Sequence, residues 1–531
     1  MSVVNLPQRL THLAPVSVAA IMALSLACVY ASALPLPLRL AGLALFALLT
    51  LIQPVGGLVC TALAAPLYLM PTSIDAAGRR WLFPLHEIAL LVTTAVMAGQ
   101  WAIQRIQRRS LPDPQALAPH IRLAGVTYAP HALLVLAGVI GVALAVPEGR
   151  SAALREFRWL IVEPLLFYGL VHATRMPRML LAGALALSGA WAATIGVLQF
   201  VGLDLAPLIG EKRAFSENII VVDGVRRVTS VYGHPNNLGL FLERVWPLAA
   251  ALALGLWGEK RSTPMTDSQG VAYAKVCLEK IEAKAQGRTV AQSLPSALTP
   301  SHPCVSLSKE SSRAAPLFFA TCACLALAGV AVSFSRGAWL ASVVAATIIG
   351  ASWRLLRTQE RRALRWLALA LAGVMIAAVA SLALTLRGGP GGGSVDARLL
   401  LWRESLSYLQ DHPLGLGLDQ FYYYHNPAFG RSRIDPSLLG TSEEYAAHPH
   451  NLLLDAWINV GPIGALAFGW LLLRFYWNAF SSIRERRDLL AWGALAAMTA
   501  ALVHGLADRF YFVPDLAIAF WALIAIVERE R

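Results

Sequence analysis

The chain has 531 residues, of which 57% are hydrophobic and only 14% are charged, and its mean hydropathy is +0.57. This composition excludes an ordinary soluble globular domain and is typical of a polytopic membrane protein. The net charge of +13 is spread over many loops without an aromatic-interleaved basic face. Nucleic acid is therefore not an expected partner, whereas anionic membrane lipids are.

Apolar runs long enough to cross a bilayer as helices recur along the whole chain. They predict an all-α integral membrane protein, a polytopic bundle of about 12–14 transmembrane helices. The first run is interpreted as an uncleaved anchor, because its flanking region carries one basic residue and the next run follows at once. The predicted spans are 14–33, 36–53, 55–71, 84–104, 131–147, 157–173, 178–201, 237–257, 315–334, 337–353, 366–386, 451–473, 489–507 and 512–528.

The basic residues orient these spans. More of the 44 lysines and arginines fall in the segments that would be cytoplasmic if the N-terminus were inside. The positive-inside rule then predicts a multi-pass protein with both termini in the cytoplasm. The polar stretch that ends near residue 451 would consequently lie on the outer face.

Three segments between the spans are long and polar. Residues 202–236 are predicted to be an outer loop, and residues 258–314 a flexible inner insertion. Residues 387–450 form a second outer loop, which opens with the glycine-rich GGPGGGS. Its continuation, DARLLLWRESLSYLQDHPLG, has leucines and a tryptophan at helical spacing, so a helical loop domain is expected there.

The outer loop ends at His448-Pro449-His450-Asn451, and an apolar helix follows at once. Imidazole is the side chain best suited to accept a proton near neutral pH, so His450 is the candidate general base. The alternative is a histidine that merely sits at the membrane interface or at the helix end. Asn451 is a candidate helix cap, which would also orient the imidazole.

Histidines in the same loop raise the alternative of a metal site. His412, His425, His448 and His450 share one loop, and Asp455 follows a turn later. However, no two histidines have the spacing of ligands on one helix turn, and no cysteine is nearby. The sequence therefore predicts no metal and no cofactor.

Four separated motifs occur in a specific order. They are RVTSVYGHPNNLG at 227–239, SFSRGAWLA at 333–341, RLLLWRESLSYLQDHPLGLGL at 398–418 and HPHNLLLDAWINVGPIG at 448–464. Together they resemble the O-antigen ligase and O-antigen polymerase superfamily, which are metal-independent glycosyltransferases of the bacterial plasma membrane. The resemblance divides the chain into a transmembrane region, 1–317, a ligase-like core, 318–470, and C-terminal helices, 471–531.

The resemblance implies a reaction at the periplasmic face of the bacterial inner membrane. The donor would be a glycan on a polyprenyl-diphosphate carrier such as undecaprenyl diphosphate, and the acceptor a hydroxyl of lipid A–core or of another glycan. His450 matches the essential histidine of the family. A single base without a carboxylate pair favours one inverting displacement. A polymerase has the same chemistry and remains an alternative, as does a transporter of small anions such as bicarbonate.

Without a metal, guanidinium groups must neutralise the charge that develops on the leaving diphosphate. The candidates are Arg158, Arg227, Arg336 and Arg398. Arg336 lies between two apolar spans, where a charge is costly unless it faces a polar cavity. The alternative for each of them is an arginine that snorkels to the membrane surface.

Five further polar residues are candidates for supporting roles at the outer face. They are His234, Asn236, His448, Asn451 and Asp508. His234 and Asn236 precede a span and would either close the outer cavity or simply cap the helix. Asp508 follows a late span and is a candidate partner for a site arginine.

Overall fold

The computed structural model describes residues 15–31, 34–76, 79–108, 114–205, 221–222, 225–258, 311–358, 394–486 and 488–528. The predicted span 366–386 and nearly all of the predicted insertion 258–314 lie outside these residues. Within them the chain is an all-α membrane protein, as the composition predicted, with two short β hairpins. The first hairpin pairs β1 (Thr72–Ala76) with β2 (Arg79–Phe83), and the second pairs β3 (Val221–Val222) with β4 (Val225–Arg226).

Most helices overlap the predicted spans, but Pro114–Ala143 begins well before the predicted span 131–147 and Leu452–Arg486 continues well past the predicted end at 473, because helix continues into the polar segments beside these apolar runs. In chain order the helices are α1 Pro15–Tyr30, α2 Leu36–Ile52, α3 Pro54–Ala64, α4 Leu85–Arg108, α5 Pro114–Ala143, α6 Arg150–Phe157, α7 Glu163–Ala173, α8 Arg178–Phe200, α9 Pro235–Gly258, α10 Ser311–Val332, α11 Arg336–Thr358, α12 Ser394–Asp411, α13 Phe421–His425, α14 Leu452–Arg486, α15 Leu489–Gly505 and α16 Pro514–Val527. A π-helical turn, Arg158–Val162, joins α6 to α7.

Four of these helices contain segments long and apolar enough to cross a membrane on length and composition alone. The segments are Arg178–Phe200, Pro235–Trp257, Ala314–Val332 and Leu452–Glu485, and shorter apolar helices accompany them. Large apolar side chains of α14 are exposed, including Leu466 and Trp477 at about three quarters of their surface. Such side chains face hydrocarbon at little cost, as expected in a membrane protein.

The interior of the bundle is built around α9 and α16. Helix α9 packs against α8, α10, α11 and α15, and every residue of α16 is buried. A helix that is apolar on all sides is stable only when neighbours surround it. The ends of α10 and α15 and the starts of α9, α11 and α14 meet at one end of the bundle, where the polar residues of the candidate site gather.

Helix α14 is broken at Gly461, where the backbone has φ 64° and Pro462 follows. The loop after α12 packs into this break, and the amides of Leu416 and Gly417 donate to the carbonyl oxygen of Ile458. A Cβ atom on Gly461 would lie 2.4 Å from the carbonyl oxygen of Leu414. Glycine is therefore required for both the left-handed backbone and the close approach, and the contact fixes the loop after α12 against α14.

Candidate functional site

His450 lies in the turn immediately before α14, with its backbone in the left-handed region at φ 51°. Few residues other than glycine adopt this conformation, and such positions occur often at functional sites. Asn451 caps the helix, because its Oδ1 atom accepts hydrogen bonds from the amides of Leu453 and Leu454. The indole of Trp402 on α12 donates to the carbonyl oxygen of His450 at 3.3 Å. Asn451 therefore caps α14 as predicted, and the contact with Trp402 holds the backbone of His450 in its left-handed conformation.

The imidazole of His450 lies between two carboxylates. Its Nδ1 atom is 3.4 Å from Oδ1 of Asp508, and its Nε2 atom is 3.4 Å from Oε2 of Glu443. Burial alone would lower the pKa of His450, but the hydrogen bonds with Asp508 and Glu443 raise it to about 9. The two carboxylates therefore make this ring a stronger base than an ordinary histidine.

His448 packs against His450, with 4.0 Å between the ring centroids, and its Nε2 atom lies 3.5 Å from the same Oδ1 atom of Asp508. Burial, followed by the positive charges of Arg509 and His450, holds the pKa of His448 well below 6.5. The two neighbouring imidazoles thus differ in basicity, with His448 neutral beside a readily protonated His450.

Asp508 contacts several residues of the site. Its Oδ2 atom accepts a hydrogen bond from the amide nitrogen of Asn236 at 2.9 Å, and its Oδ1 atom accepts from the backbone amide of Arg509 at 2.8 Å. Burial would raise the pKa of Asp508, but the hydrogen bonds with His448 and His450 hold it well below 3.8. Asp508 is consequently a fixed negative charge at the centre of the cluster.

Asn236 connects Asp508 to Arg227, one of the predicted site arginines. Its Oδ1 atom accepts from Nη2 of Arg227 at 2.9 Å, and Nε of Arg227 donates to the carbonyl oxygen of Ser333 at 3.2 Å. The backbone amide of Asn236 donates to Nδ1 of His234 at 3.0 Å, and burial lowers the pKa of His234 to about 4. The motif before α9 therefore places a neutral imidazole, an amide and a guanidinium beside Asp508.

Arg227, Arg336 and Arg398 share one electrostatic environment. Burial, followed by the positive charges of Arg336 and Arg398, lowers the pKa of Arg227. Burial would raise the pKa of Glu443, yet His450 and Arg398 lower it, so Arg398 also lies near the catalytic candidate. Like charges that repel one another in the absence of a ligand create a favourable place for an anion such as a diphosphate.

Arg158 is placed differently. Its Nη2 atom is 3.2 Å from Oε2 of Glu87, and its Nε atom is 3.3 Å from Oε1 of Glu163. Both carboxylates are buried, whereas 41% of the Arg158 side chain is exposed. Among the described residues these are its ion-pair partners, so its predicted contact with the diphosphate stays a prediction.

Two residues of the cluster were missed by sequence reasoning. Glu443 is seven positions before His450 in a loop rich in charges, and its pairing with the ring depends on how that loop folds. Arg509 donates to the carbonyl oxygens of Ala447 and Phe512, which braces the turn that carries His448. The only sequence signal for Arg509 is its position next to Asp508.

Three side chains of the site have an arrangement that could hold a metal ion. One ligand atom each from His448, His450 and Asp508 lie within 4.8 Å of one another. The other histidines considered from the sequence are engaged elsewhere, since His425 pairs with Glu404 at 2.8 Å and His412 packs against Tyr424. The expectation of a metal-free site therefore stays a prediction, which chelation can test.

One comparison with known proteins gives a match. Residues 321–469 match the family model described as O-antigen ligase. No curated protein matches the chain. The resemblance to the O-antigen ligase and polymerase superfamily is thereby confirmed, and the matched region contains Arg336, Arg398 and His450. Arg227, Asn236 and Asp508 lie outside it, although they join the same cluster in three dimensions.

Proposed function

We propose that this membrane chain, whose residues 321–469 match the O-antigen ligase family model, transfers a glycan from a polyprenyl diphosphate to an acceptor hydroxyl. The observation that carries the proposal is the placement of His450. Its ring lies between two carboxylates and within the electrostatic environment of the site arginines. A base beside an anion site is what such a transfer needs.

In the proposed reaction the acceptor oxygen attacks the anomeric carbon of the donor. The bond from that carbon to the diphosphate oxygen breaks, and the polyprenyl diphosphate leaves with the bonding electrons. Unprotonated His450 accepts the hydroxyl proton, and Asp508 and Glu443 stabilise the resulting imidazolium. Because one base and one displacement suffice, the anomeric configuration is inverted.

The guanidinium groups of Arg227, Arg336 and Arg398 would hold the diphosphate and neutralise the charge that forms on it. Arginine binds phosphate oxygens through two parallel hydrogen bonds, which fixes the leaving group as well as stabilising it. Arg158 would contribute its exposed side if the diphosphate reaches it. No cofactor or metal is required by this mechanism, and the site would face the periplasm of a bacterial inner membrane.

The family description, O-antigen ligase, supports the proposal of a ligase, for which lipid A–core would be the acceptor. A polymerase would perform the same bond exchange on a growing glycan. A deletion strain distinguishes them by its products. Loss of a ligase leaves unmodified core while lipid-linked polymer accumulates, whereas loss of a polymerase leaves core that carries a single repeat.

The direct test is transfer by the purified full-length protein with lipid-linked donor and acceptor in EDTA. We expect full activity in the chelator and a loss of about 10²–10⁴-fold in His450→Ala. Undiminished transfer by His450→Ala would overturn the base assignment. Loss of activity in EDTA that is restored by a divalent cation would instead show that His448, His450 and Asp508 hold a metal.

A further inference from the structure

A second histidine–carboxylate pair lies behind Asp508, inside the bundle. His504, in the last turn of α15, is 3% exposed, and Glu243 on α9 is fully buried. Nδ1 of His504 is 2.7 Å from Oε2 of Glu243, and its Nε2 atom is 3.9 Å from Oδ2 of Asp508. The imidazole of His504 is thus placed between two carboxylates, in the same way as that of His450.

The pair lies on the side of Asp508 away from the reaction. The Oδ1 atom of Asp508 faces His450 and His448, while its Oδ2 atom faces Asn236 and His504. The proposed mechanism assigns no chemical step to Glu243 or His504. Ionisable groups inside a membrane bundle are costly and are kept where they pair with each other or serve function.

A glycine allows His504 to occupy this position. Gly337, the residue after Arg336, packs directly against the imidazole, and a Cβ atom there would lie 2.3 Å from Cδ2 and 2.4 Å from Nε2 of His504. The start of α11 can therefore approach α15 only with glycine at 337. The motif that supplies Arg336 to the site also provides space for His504.

We propose that Glu243 and His504 are a positioning pair that keeps the Asp508 carboxylate aimed at His450. This inference rests on the proposed function, in which His450 is the base. The contact of Nδ1 with Glu243 fixes the His504 ring, so that its Nε2 edge lies behind Oδ2 of Asp508. Together with Asn236, the ring then directs the Oδ1 atom of Asp508 at His450.

Charged and titratable side chains from several elements surround His504, Asp508 and His450. The groups that interact with Asp508, His450 or His504 are Arg227, His234, Glu243, Arg244, Glu443, His448, Asp455 and Arg509, and Arg398 acts on Glu443. Among the described ion pairs, only the one with Glu243 contacts His504 on the side opposite Asp508. Replacing the Glu243 carboxylate therefore weakens the contact that fixes the His504 ring while leaving the partners of His450 in place.

The experiment compares Glu243→Gln and His504→Gln with the unmodified full-length protein, and measures kcat, donor KM and the pH dependence of transfer. We expect the maximal kcat to fall about tenfold, less than the 10²–10⁴-fold of losing the base, with donor KM little changed. When Asp508 is less firmly directed at His450, it raises the pKa of His450 less, so the acidic limb of the pH profile should move to lower pH.

A matched control is Glu528→Gln. Glu528 is also buried and paired with a histidine, His172 at 3.1 Å, but at the far end of α16. We expect this variant to lower stability without moving the pH profile. Gly337→Ala, which pushes against His504, should reproduce the shift, whereas Gly350→Ala on the same helix has open space and should not.

Two results would overturn the inference while the proposed function stands, provided that His450→Ala is inactive. One is wild-type kcat and pH dependence in folded Glu243→Gln and His504→Gln proteins. The other is a loss of rate no larger than in Glu528→Gln with an unmoved pH profile. Should either variant fail to fold, Gly337→Ala carries the same expectation, and an unmoved profile there counts against the pair. Activity of His450→Ala would instead remove the premise itself.

Discussion

Asn236 joins Arg227 to Asp508 through the two ends of one amide, accepting from the guanidinium at 2.9 Å and donating to the carboxylate at 2.9 Å. The proposed leaving-group site and the proposed base are therefore mechanically connected. An ion pair in direct contact would neutralise both charges, whereas the intervening amide keeps Arg227 available for an anion. The amide is consequently the residue through which the two halves of the site are aligned.

We expect Asn236→Ala to lower kcat/KM by about one to two orders of magnitude, because a hydrogen bond to a charged group contributes about 1.5–3 kcal/mol. Steady-state transfer kinetics measure this. Asn459→Ala is the control, since Asn459 also bridges two residues through its side-chain amide, accepting from the backbone amide of Asp419 and donating to Asp455. Equal kinetic losses in the two variants would mean that Asn236 matters for folding alone.

The rate of transfer should rise as the pH increases towards about 9, because His450 accepts a proton only when it is neutral and its pKa is raised to about 9. Asp508→Asn and Glu443→Gln each remove one carboxylate that raises this pKa. The acidic limb should therefore move to lower pH in both, even though the maximal rate falls. A profile that stays in place in both variants would assign the limb to another group.

Removal of a site arginine should weaken donor binding more than it lowers stability. We expect Arg398→Ala to raise the donor KM at least about tenfold, since each lost charge-assisted contact contributes about 1.5–3 kcal/mol. Arg398→Lys should recover only part, because lysine lacks the bidentate geometry. Arg403→Ala on the same helix, where the side chain is exposed, is the control, and a similar effect there would point to general attraction of the anion.

Replacement of Gly461 by alanine should destabilise the protein by about 1–3 kcal/mol, the usual cost of a strained backbone conformation. The backbone there has φ 64°, and the new Cβ atom would contact the carbonyl oxygen of Leu414. Thermal unfolding in detergent measures the change. Gly469→Ala, further along α14 with nothing within 4 Å, should be neutral or stabilising by up to about 1 kcal/mol. A comparable loss of stability in both variants would contradict the role of the break.

Hydropathy alone predicted most of the bundle, because a membrane helix must satisfy its backbone internally and be apolar over its length. The predicted span 178–201, for example, is the helix Arg178–Phe200. The hairpin Thr72–Phe83 was not predicted, since its strands are too short for a periodic signal to stand out. The break at Gly461 also depends on contact with a loop some forty-five residues earlier, which no local pattern reports.

The candidate site was predictable in part. The junction at His450 is visible because histidines at the end of a polar loop stand next to an apolar helix. The pairing of Arg158 with Glu87 was not, because ion pairs between distant segments leave no mark in a single sequence. The pairing of His450 with Glu443 was not either, because it depends on how the loop between them folds. The pairing of Glu243 with His504 likewise became identifiable only when α9 and α15 were placed side by side.

The position of Asp508 in the chain has a practical consequence. The carboxylate that faces His450 comes from the connection between α15 and α16, thirty-nine residues beyond the end of the matched region. A fragment limited to residues 321–469 would keep its histidine, Glu443 and two of its arginines, yet would lack Asp508, the carboxylate at Nδ1 of the ring. Chimeras that exchange this region between relatives should therefore carry the last two helices with it, or the transplanted imidazole will keep only one of its two counter-ions.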